Sequence, residues 1–475
     1  MSNSWNPPES GREPIRSGPP GGAPAGPPSN PPMPPYLPPG GGPGAPTAPV
    51  EPTSSPRRGR GKIIAAAVAV VAVGAAAVFA VNQGVLDDDS APAGSASPEE
   101  LGERTLEAFR NTDALGAAEL LLPGERRAIS DPAFDMIDEL ERLEVLSDVN
   151  LEDVNGVDVT LENEDVEVAE TNVDDIVHLN ITADATVEVN ADELPTGPVL
   201  DDVDTESSTT QEPFDLQLVG VQEDGEWYLS LFYFAAEQAR QSTFDSETGD
   251  VPAIPEASQA VAPIGADSPE GAIDNMLAAL EATDLKAAIA GIDPGEAGAL
   301  QRYAPLFLDD AQTEFEEQAV SITVTEKDLR VEGDGDQRQV FVEDFAMKIE
   351  VEGDTAYLQY SDGCFSVEAN GETDEVCVSG DEISTELDNA LNDFEDPEAI
   401  RELIDSVTTA FADFEVPGIV VSEVDGEWYV SPIGTFDEAV LSVLEALDAD
   451  ELKDIIEKGE AVLEDMSSDD IDLGD

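Results

Sequence analysis

The pentapeptide Asp-Gly-Glu-Trp-Tyr occurs twice in this chain, at residues 224–228 and again at residues 425–429. In each copy the Asp-Gly pair is a strong signal for the tight turn of a β-hairpin, and Trp-Tyr lies in the strand that follows. A repeated signature of this length indicates an internal duplication. The chain is therefore predicted to contain two copies of one structural unit.

Two shorter signatures precede each pentapeptide in the same order. Ser-Pro-Glu begins at Ser97 and at Ser268, and Pro-Gly-Glu begins at Pro123 and at Pro294. Serine is favoured at a helix N-cap and proline at the first helical position, so each unit is predicted to open with a helix. The segment after Pro-Gly-Glu is predicted to be a second, shorter helical stretch.

Alternating apolar and polar residues follow the helices, for example at residues 157–161, 176–189 and 340–351. Such alternation indicates antiparallel strands with one buried face. Helices followed by an antiparallel sheet that ends in D-G-x-W-Y resemble the nuclear transport factor-like, cystatin-type α+β cone. The units resemble in particular the extracytoplasmic members found behind a Pro-rich tail and one membrane helix in high-GC Gram-positive bacteria. The resemblance implies a fold and a concave sheet face that binds a small molecule or another protein, and it implies no particular catalytic activity.

The predicted fold class is α+β, with a disordered tail, one transmembrane helix, two tandem cone-like units and C-terminal helices. The second unit is longer between its signatures, and a helical insertion is predicted at 381–414. The predicted parts are a Pro/Gly-rich cytoplasmic tail at 1–62, a transmembrane helix at 63–82, a linker at 83–96, the first unit at 97–240, a linker at 241–267, the second unit at 268–435 and a helical acidic extension at 436–475.

The membrane prediction rests on residues 63–81, which contain no charged or polar side chain. A helix of this length spans about 28 Å, close to the hydrocarbon thickness of a bilayer. Basic residues precede the run and Asp87 to Asp89 follow it, so the prediction is a single-pass signal-anchor in the cell membrane with a cytoplasmic N-terminus and an extracellular C-terminus. A cleaved signal peptide is disfavoured by the long segment before the run. Proline and glycine make up half of residues 1–56, which predicts a disordered tail open to a cytoplasmic partner.

The formal net charge of the chain is −84. A field of this sign repels nucleic acid and anionic lipid, so neither is predicted as a partner of the region after the apolar run. The charge favours cations or a basic partner instead.

The two cysteines, Cys364 and Cys377, are centred on an Asn370-Gly371 turn signal. In the resulting hairpin they are opposite each other at a non-hydrogen-bonded site, with a separation that suits a disulfide bond. A disulfide between them is therefore predicted. The other side of the hairpin carries apolar residues that are predicted to pack inward: Phe365, Val367, Val376 and Val378.

Sequence motifs for catalysis are missing. His178 is the only histidine and is predicted to be a surface or edge residue, so no zinc site, Cys-His dyad or Ser-His-Asp triad can be assembled. No phosphate-binding glycine motif occurs either. The prediction is a protein without enzymatic activity, cofactor or metal.

Four aromatic residues of the repeated pentapeptides are open to two interpretations, as core residues of a final strand or as residues of a ligand-binding face. They are Trp227, Tyr228, Trp428 and Tyr429.

The leading hypothesis is a non-enzymatic, membrane-anchored, extracytoplasmic binding or interaction protein of the bacterial cell envelope. Its partners would be the lipid bilayer, through one helix, and an envelope protein or small molecule. The first alternative is a small-molecule carrier or sensor that uses a cone pocket. The second is a cell-wall hydrolase that depends on carboxylates.

Overall fold

A computed structural model of the chain describes residues 94–200, 206–247, 251–351, 354–361, 363–369, 372–377, 397–410 and 416–468. These ranges belong to one compact part of the chain, Arg58–Asp475. The first copy runs from helices into a sheet and ends in a helix. Its elements are α1 (Pro98–Arg110), α2 (Ala114–Glu119), α3 (Pro123–Arg142), β1 (Val157–Glu170), β2 (Ile176–Val189), β3 (Ser208–Glu223), β4 (Glu226–Leu229) and α4 (Leu231–Glu247).

The second copy repeats this order and adds further elements to it. The elements are α5 (Pro269–Glu281), α6 (Leu285–Ala290), α7 (Pro294–Tyr303), α8 (Leu308–Glu317), β5 (Ser321–Glu332), β6 (Gln337–Val351), β7 (Asp354–Ser361), β8 (Cys364–Ala369), β9 (Glu372–Cys377), α9 (Pro397–Ala410), β10 (Ile419–Val424), β11 (Glu427–Val430), α10 (Pro432–Glu445) and α11 (Ala449–Ser468). Short 3₁₀ turns at Ala191–Glu193, Pro198–Leu200, Ala257–Gln259 and Ala304–Leu306 complete the described structure.

The repeated signatures form the predicted local structures. Ser97 Oγ accepts a hydrogen bond from the Glu100 amide at the start of α1, and Ser268 Oγ accepts one from the Gly271 amide at the start of α5. Each Asp-Gly pair has two positive φ angles, 51° and 92° in the first copy and 55° and 86° in the second. Two consecutive positive φ angles define the turn that matches the twist of an antiparallel hairpin. Both the helix starts and the hairpins are confirmed.

The sheet of the first copy has the strand order β1-β2-β3-β4, all antiparallel. One face of this sheet is covered by helices at both ends. Leu101 of α1 packs with Leu179 and Trp227 at one end. At the other end Phe134 and Ile137 of α3 pack over the strand ends, together with α2.

The sheet of the second copy is wider and is branched. Strand β6 pairs with β5 along one edge, and with β10 and β7 one after the other along its other edge. In the first copy one long strand, β3, takes both of these places. After β7 the chain turns back as β8 and again as β9, which extend the sheet on that side, and it later returns to β6 as β10.

The predicted fold class needs one correction. Two α+β copies with antiparallel sheets are seen, whereas the predicted membrane helix at 63–82 is not. Throughout the described ranges no helix is both long and apolar enough to cross a membrane, and the two longest, α3 and α11, are rich in charged side chains. Residues 1–62 and 63–82 lie outside those ranges.

Helices occur in both of the C-terminal regions that were predicted to be helical. Helix α9 forms within the insertion predicted at 381–414, whose residues 381–396 and 411–414 lie outside the described part. The extension predicted at 436–475 contains most of α10 and all of α11. Leu143 of the first copy packs with Ala410 and Leu447 where these helices meet.

The two copies are joined by two pairs of packed helices, each with one helix from each copy. Helix α3 of the first copy packs against α10 of the second, and α7 of the second packs against α4 of the first. Gly124 and Gly295, the central residues of the two Pro-Gly-Glu signatures, meet between α3 and α7. A Cβ atom added to Gly124 would lie 2.5 Å from the Cα atom of Gly295. Only glycine fits on both sides of such a contact.

Candidate binding surface

The aromatic residues of the repeated pentapeptides are buried. Trp227 and Tyr228 are each 7% exposed, and Trp428 and Tyr429 are 6% and 4% exposed. The hydroxyl group of Tyr228 donates to Glu226, and that of Tyr429 to Glu427. These side chains pack against α1 and α5 and against the segments that precede those helices. The structure places all four in the packed interior of their copies.

The glutamate of each Pro-Gly-Glu signature caps a helix. The Glu125 carboxylate accepts hydrogen bonds from Ser230 Oγ and, at 2.7 Å, from the Leu231 amide at the start of α4. Glu296 does the same in the second copy, accepting from Ser431 Oγ and, at 2.9 Å, from the Ile433 amide in the first turn of α10. A carboxylate at a helix N-terminus satisfies amide groups that have no partner within the helix. The signature thus ties the third helix of each copy to its closing helix.

Burial raises the pKa of Glu125 to about 7, although its hydrogen bonds with Ser230 and with backbone amides lower it. The folded protein then holds this proton more tightly than the unfolded chain between about pH 4.5 and 7. Stability is therefore expected to fall as the pH rises through that window and to level off above it. In Glu125→Gln this fall, on the order of 2 kcal/mol, should be absent from urea unfolding measured at several pH values. As a control, Glu164 forms an ion pair with Arg110 at the surface, and Glu164→Gln should keep the wild-type profile. A Glu125→Gln profile that also matches wild type would contradict the assignment of this pH dependence to Glu125.

The single histidine lies at the joint between the copies. His178 is on β2, an interior strand, and its side chain is 17% exposed, so its prediction as a surface or edge residue is wrong. Its Nε2 atom is 2.9 Å from Glu237 Oε2. Glu237 is 2% exposed and also receives hydrogen bonds from Arg240 and from Tyr303 of the second copy. Burial opposes ionisation of Glu237, but these three partners hold its pKa at about 2.

An apolar surface remains open on the sheet of the second copy. We call it the distal face, and it is formed by Phe345, Met347, Ile349, Leu358, Tyr360, Phe365 and Val367. Phe345 is paired with Tyr360 and Met347 with Leu358 between β6 and β7. Tyr360 is paired in turn with Phe365, and Leu358 with Val367, between β7 and β8. Directly paired residues lie on one side of a sheet, so the seven side chains form one continuous surface.

The side chains of the distal face are too exposed to form a hydrophobic core. Phe365 is 45% exposed and Val367 is 42% exposed, and the other five residues of the face are half-buried. The rings of Tyr360 and Phe365 are in contact, with centroids 4.7 Å apart. The six hydrophobic clusters of the described residues include none of the seven side chains. The prediction that Phe365 and Val367 pack inward is wrong.

The first copy shows why this face is open. There α3 is 20 residues long, and its second half brings Phe134 and Ile137 over the end of the sheet at Val157 and Val189. The equivalent helix of the second copy, α7, is 10 residues long and ends at Tyr303. The part of the sheet that α3 covers in the first copy therefore has no equivalent cover from α7.

The charges around the distal face are almost all negative. Three exposed carboxylates lie on the same side of the sheet as the distal face, as their pairing with residues of that side shows. They belong to Asp354, Glu372 and Asp374. Lys327 on β5 is opposite Phe345 on the same side, but its ammonium group is paired with Asp274 of α5. The face is therefore apolar with an acidic rim.

The predicted cysteine hairpin forms in the expected register. Cys364 is directly opposite Cys377, and Ala369 is opposite Glu372 next to the turn. Cys364 is not a free thiol. The side chain of Cys377 lies outside the described part of the chain, so the predicted bond between the two sulfur atoms is not shown. The structure confirms the register of the hairpin and not the bond itself.

Three cavities lined by described residues lie away from the distal face. One of about 260 Å³ lies beside Gln337 and Phe341 of β6. A second, of about 270 Å³, lies between the copies, where Arg127 and Asp135 of α3 face Val420, Asp437 and Glu438. Burial raises the pKa of Asp437 to about 6. The third, of about 660 Å³, is a shallow polar recess beside α2 and β1 in the first copy. Within the described ranges, no group of three or more metal-ligating side chains is placed to hold an ion.

The comparisons with known proteins give only weak likeness to solved structures. No protein-family model matches the chain, and no curated protein matches it. One similar solved structure is an Ntf2-like protein involved in plasmid conjugation, which is 9% identical over a match covering 46% of this chain and 77% of that chain, with a TM-score of 0.12. A TM-score this low carries no argument beyond a weak likeness to an NTF2-like protein. The assignment to envelope proteins of high-GC Gram-positive bacteria stays a prediction.

Proposed function

We propose that this chain is a non-enzymatic binding or interaction protein and that the distal face is where it binds its partner. The observation that carries the proposal is the exposure of Phe365 and Val367 on β8, in an apolar surface that continues across β7 to β6. Contiguous exposed apolar surface with a polar rim is typical of sites of protein association. A location in the cell envelope stays a prediction from the sequence.

The small-molecule alternative receives less support from the described residues. A carrier or sensor needs an open cone interior, whereas Phe134, Leu179 and Trp227 are buried between the helices and the sheet of the first copy. The distal face of the second copy is an open surface, and such a surface cannot enclose a small ligand as a pocket does. The hydrolase alternative stays a prediction.

A paired capture experiment tests the proposed function. The full chain, the double variant Phe365→Ser with Val367→Ser, and the control Tyr357→Ser are each used to capture partners from one extract under the same conditions. Tyr357 is 43% exposed on the opposite side of the same strands, where it is paired with Glu368, so it matches Phe365 in exposure but not in position. A partner captured by the wild type and by the control should be lost with the double variant.

The result that would contradict the proposal is equal capture by the double variant and the wild type. Thermal unfolding of all three proteins provides the folding control. Phe365 and Val367 contribute little buried area, so the double variant is expected to unfold within a few degrees of wild type.

A further inference from the structure

We infer that the occupant of the distal face is an amphipathic helix with basic residues beside its apolar stripe; this inference rests on the proposed function. The internal duplication supplies the first argument. In the first copy the corresponding end of the sheet is covered by a helix, the second half of α3, through Phe134 and Ile137. A helix is thus the element that this sheet geometry already accommodates within the same chain.

The dimensions of the second sheet agree with a helix of moderate length. Strands β5 to β9 lie side by side at the distal end, and strands are about 4.8 Å apart, so the sheet is about 19 Å wide there. A helix that crosses it rises about 1.5 Å per residue and needs about 13 residues. Residues at every third or fourth position of such a helix would contact the face.

The negative charge around the distal face favours a helix with basic residues. The exposed carboxylates of Asp354, Glu372 and Asp374 border the face, and the nearby ammonium group of Lys327 is already paired with Asp274. Lysine or arginine beside the apolar stripe would be attracted to this rim, and aspartate or glutamate would be repelled. A second copy of this chain is disfavoured for the same reason, because its formal net charge is −84. The chain's own residues 378–396, which follow β9, are also acidic.

Three labelled peptides of about 13 residues test the inference by fluorescence anisotropy with the full chain. All share one leucine stripe at helical spacing, and their polar positions are lysine and arginine, glutamine and serine, or glutamate. The basic peptide should bind most tightly, and its affinity should fall as salt is raised from about 0.05 M to about 0.5 M. Phe365→Ser with Val367→Ser should weaken it about tenfold, whereas Tyr357→Ser should not change it.

A second pair of variants isolates the charge. Glu372→Gln with Asp374→Asn should weaken binding of the basic peptide by about threefold and reduce its salt dependence, whereas Glu368→Gln on the opposite side of the sheet should do neither. Equal binding of the basic and neutral peptides would overturn the inference about charge while leaving the proposed function intact. Binding of none of the three peptides would overturn the helix itself. Binding that appears only after residues 378–396 are deleted would show that this chain covers its own face, and it would overturn both proposals.

Discussion

Glu237→Ala is expected to lower the free energy of unfolding by about 3 to 5 kcal/mol, the largest single effect in this chain. The carboxylate is 2% exposed and lies at the centre of the joint between the copies. Its loss leaves the guanidinium group of Arg240, whose side chain is 10% exposed, without its carboxylate partner, and it removes the acceptor for Tyr303. An uncompensated buried charge costs far more than a surface ion pair contributes. Urea or thermal unfolding of the full chain measures the effect.

The matched control is Glu164→Ala, which removes the partner of Arg110 in an ion pair at the surface of the same copy. The two side chains are 25% and 45% exposed, so a change of less than about 1 kcal/mol is expected. Equal effects of the two substitutions would mean that Glu237 is not the centre of a buried cluster.

The pH dependence of stability gives a second readout of Glu237. Its pKa is lowered from the ordinary 4.5 to about 2 in the folded protein, so the folded state binds this proton less tightly than the unfolded chain does. The stabilisation is fully present above about pH 4.5 and is lost as the pH falls toward 2. Glu237→Gln should show a smaller loss of stability over that acid range than wild type. This is the reverse of Glu125, whose raised pKa makes stability fall as the pH rises.

Gly124→Val is expected to lower the free energy of unfolding by about 3 kcal/mol. An added Cβ atom would lie 2.5 Å from Gly295 Cα, a backbone atom that cannot rotate away. The helices α3 and α7 must then separate, and separation also disturbs the pairing of α3 with α10 and of α7 with α4. Unfolding measured by circular dichroism should show the loss. Partial proteolysis between residues 248 and 267 should become faster as the copies come apart.

The control for this substitution is Gly298→Ala in α7, the helix whose Gly295 meets Gly124. A Cβ atom added at Gly298 meets nothing within 4 Å, and alanine is the better helix former, so this variant should be as stable as wild type or more stable. A Gly124→Val protein with wild-type stability would refute the close contact between the copies.

The repeat, the helix starts and the hairpins could be predicted because each rests on a local signal. Ser97 and Ser268 are followed by proline, and Asp224-Gly225 and its counterpart favour one turn type. These preferences act over a few residues, and the fold does not override them. The roles of Glu125 and Glu296 were harder to predict from the sequence, because each glutamate caps a helix that begins more than 100 residues later. The repetition of Pro-Gly-Glu in both copies could have marked these glutamates as structurally important, but it could not have identified the helices that they cap.

The distal face could not be predicted, for two physical reasons. Alternation of apolar and polar residues in β8 shows that one side is apolar but not whether anything covers it, so Phe365 and Val367 were expected to pack inward. The length of the third helix is also decided by packing. Pro132 lies within α3, which continues to Arg142 because Phe134 and Ile137 are buried beyond it. In the second copy α7 ends at Tyr303, one residue before the Ala304-Pro305 pair.

Hydroxyl-radical footprinting of the free full chain tests the central claim most directly, since it compares the open apolar surface of the second copy with the helix-covered one of the first. Phe365 on the distal face is 45% exposed, and Phe134 of α3, which packs on the sheet of the first copy, is 2% exposed. We expect rapid oxidation of Phe365 and Tyr360 and slow oxidation of Phe134 in the same sample. Protection of Phe365 to the level of Phe134 in the free chain would show that the face is already covered, and it would contradict the assignment of this surface to a partner.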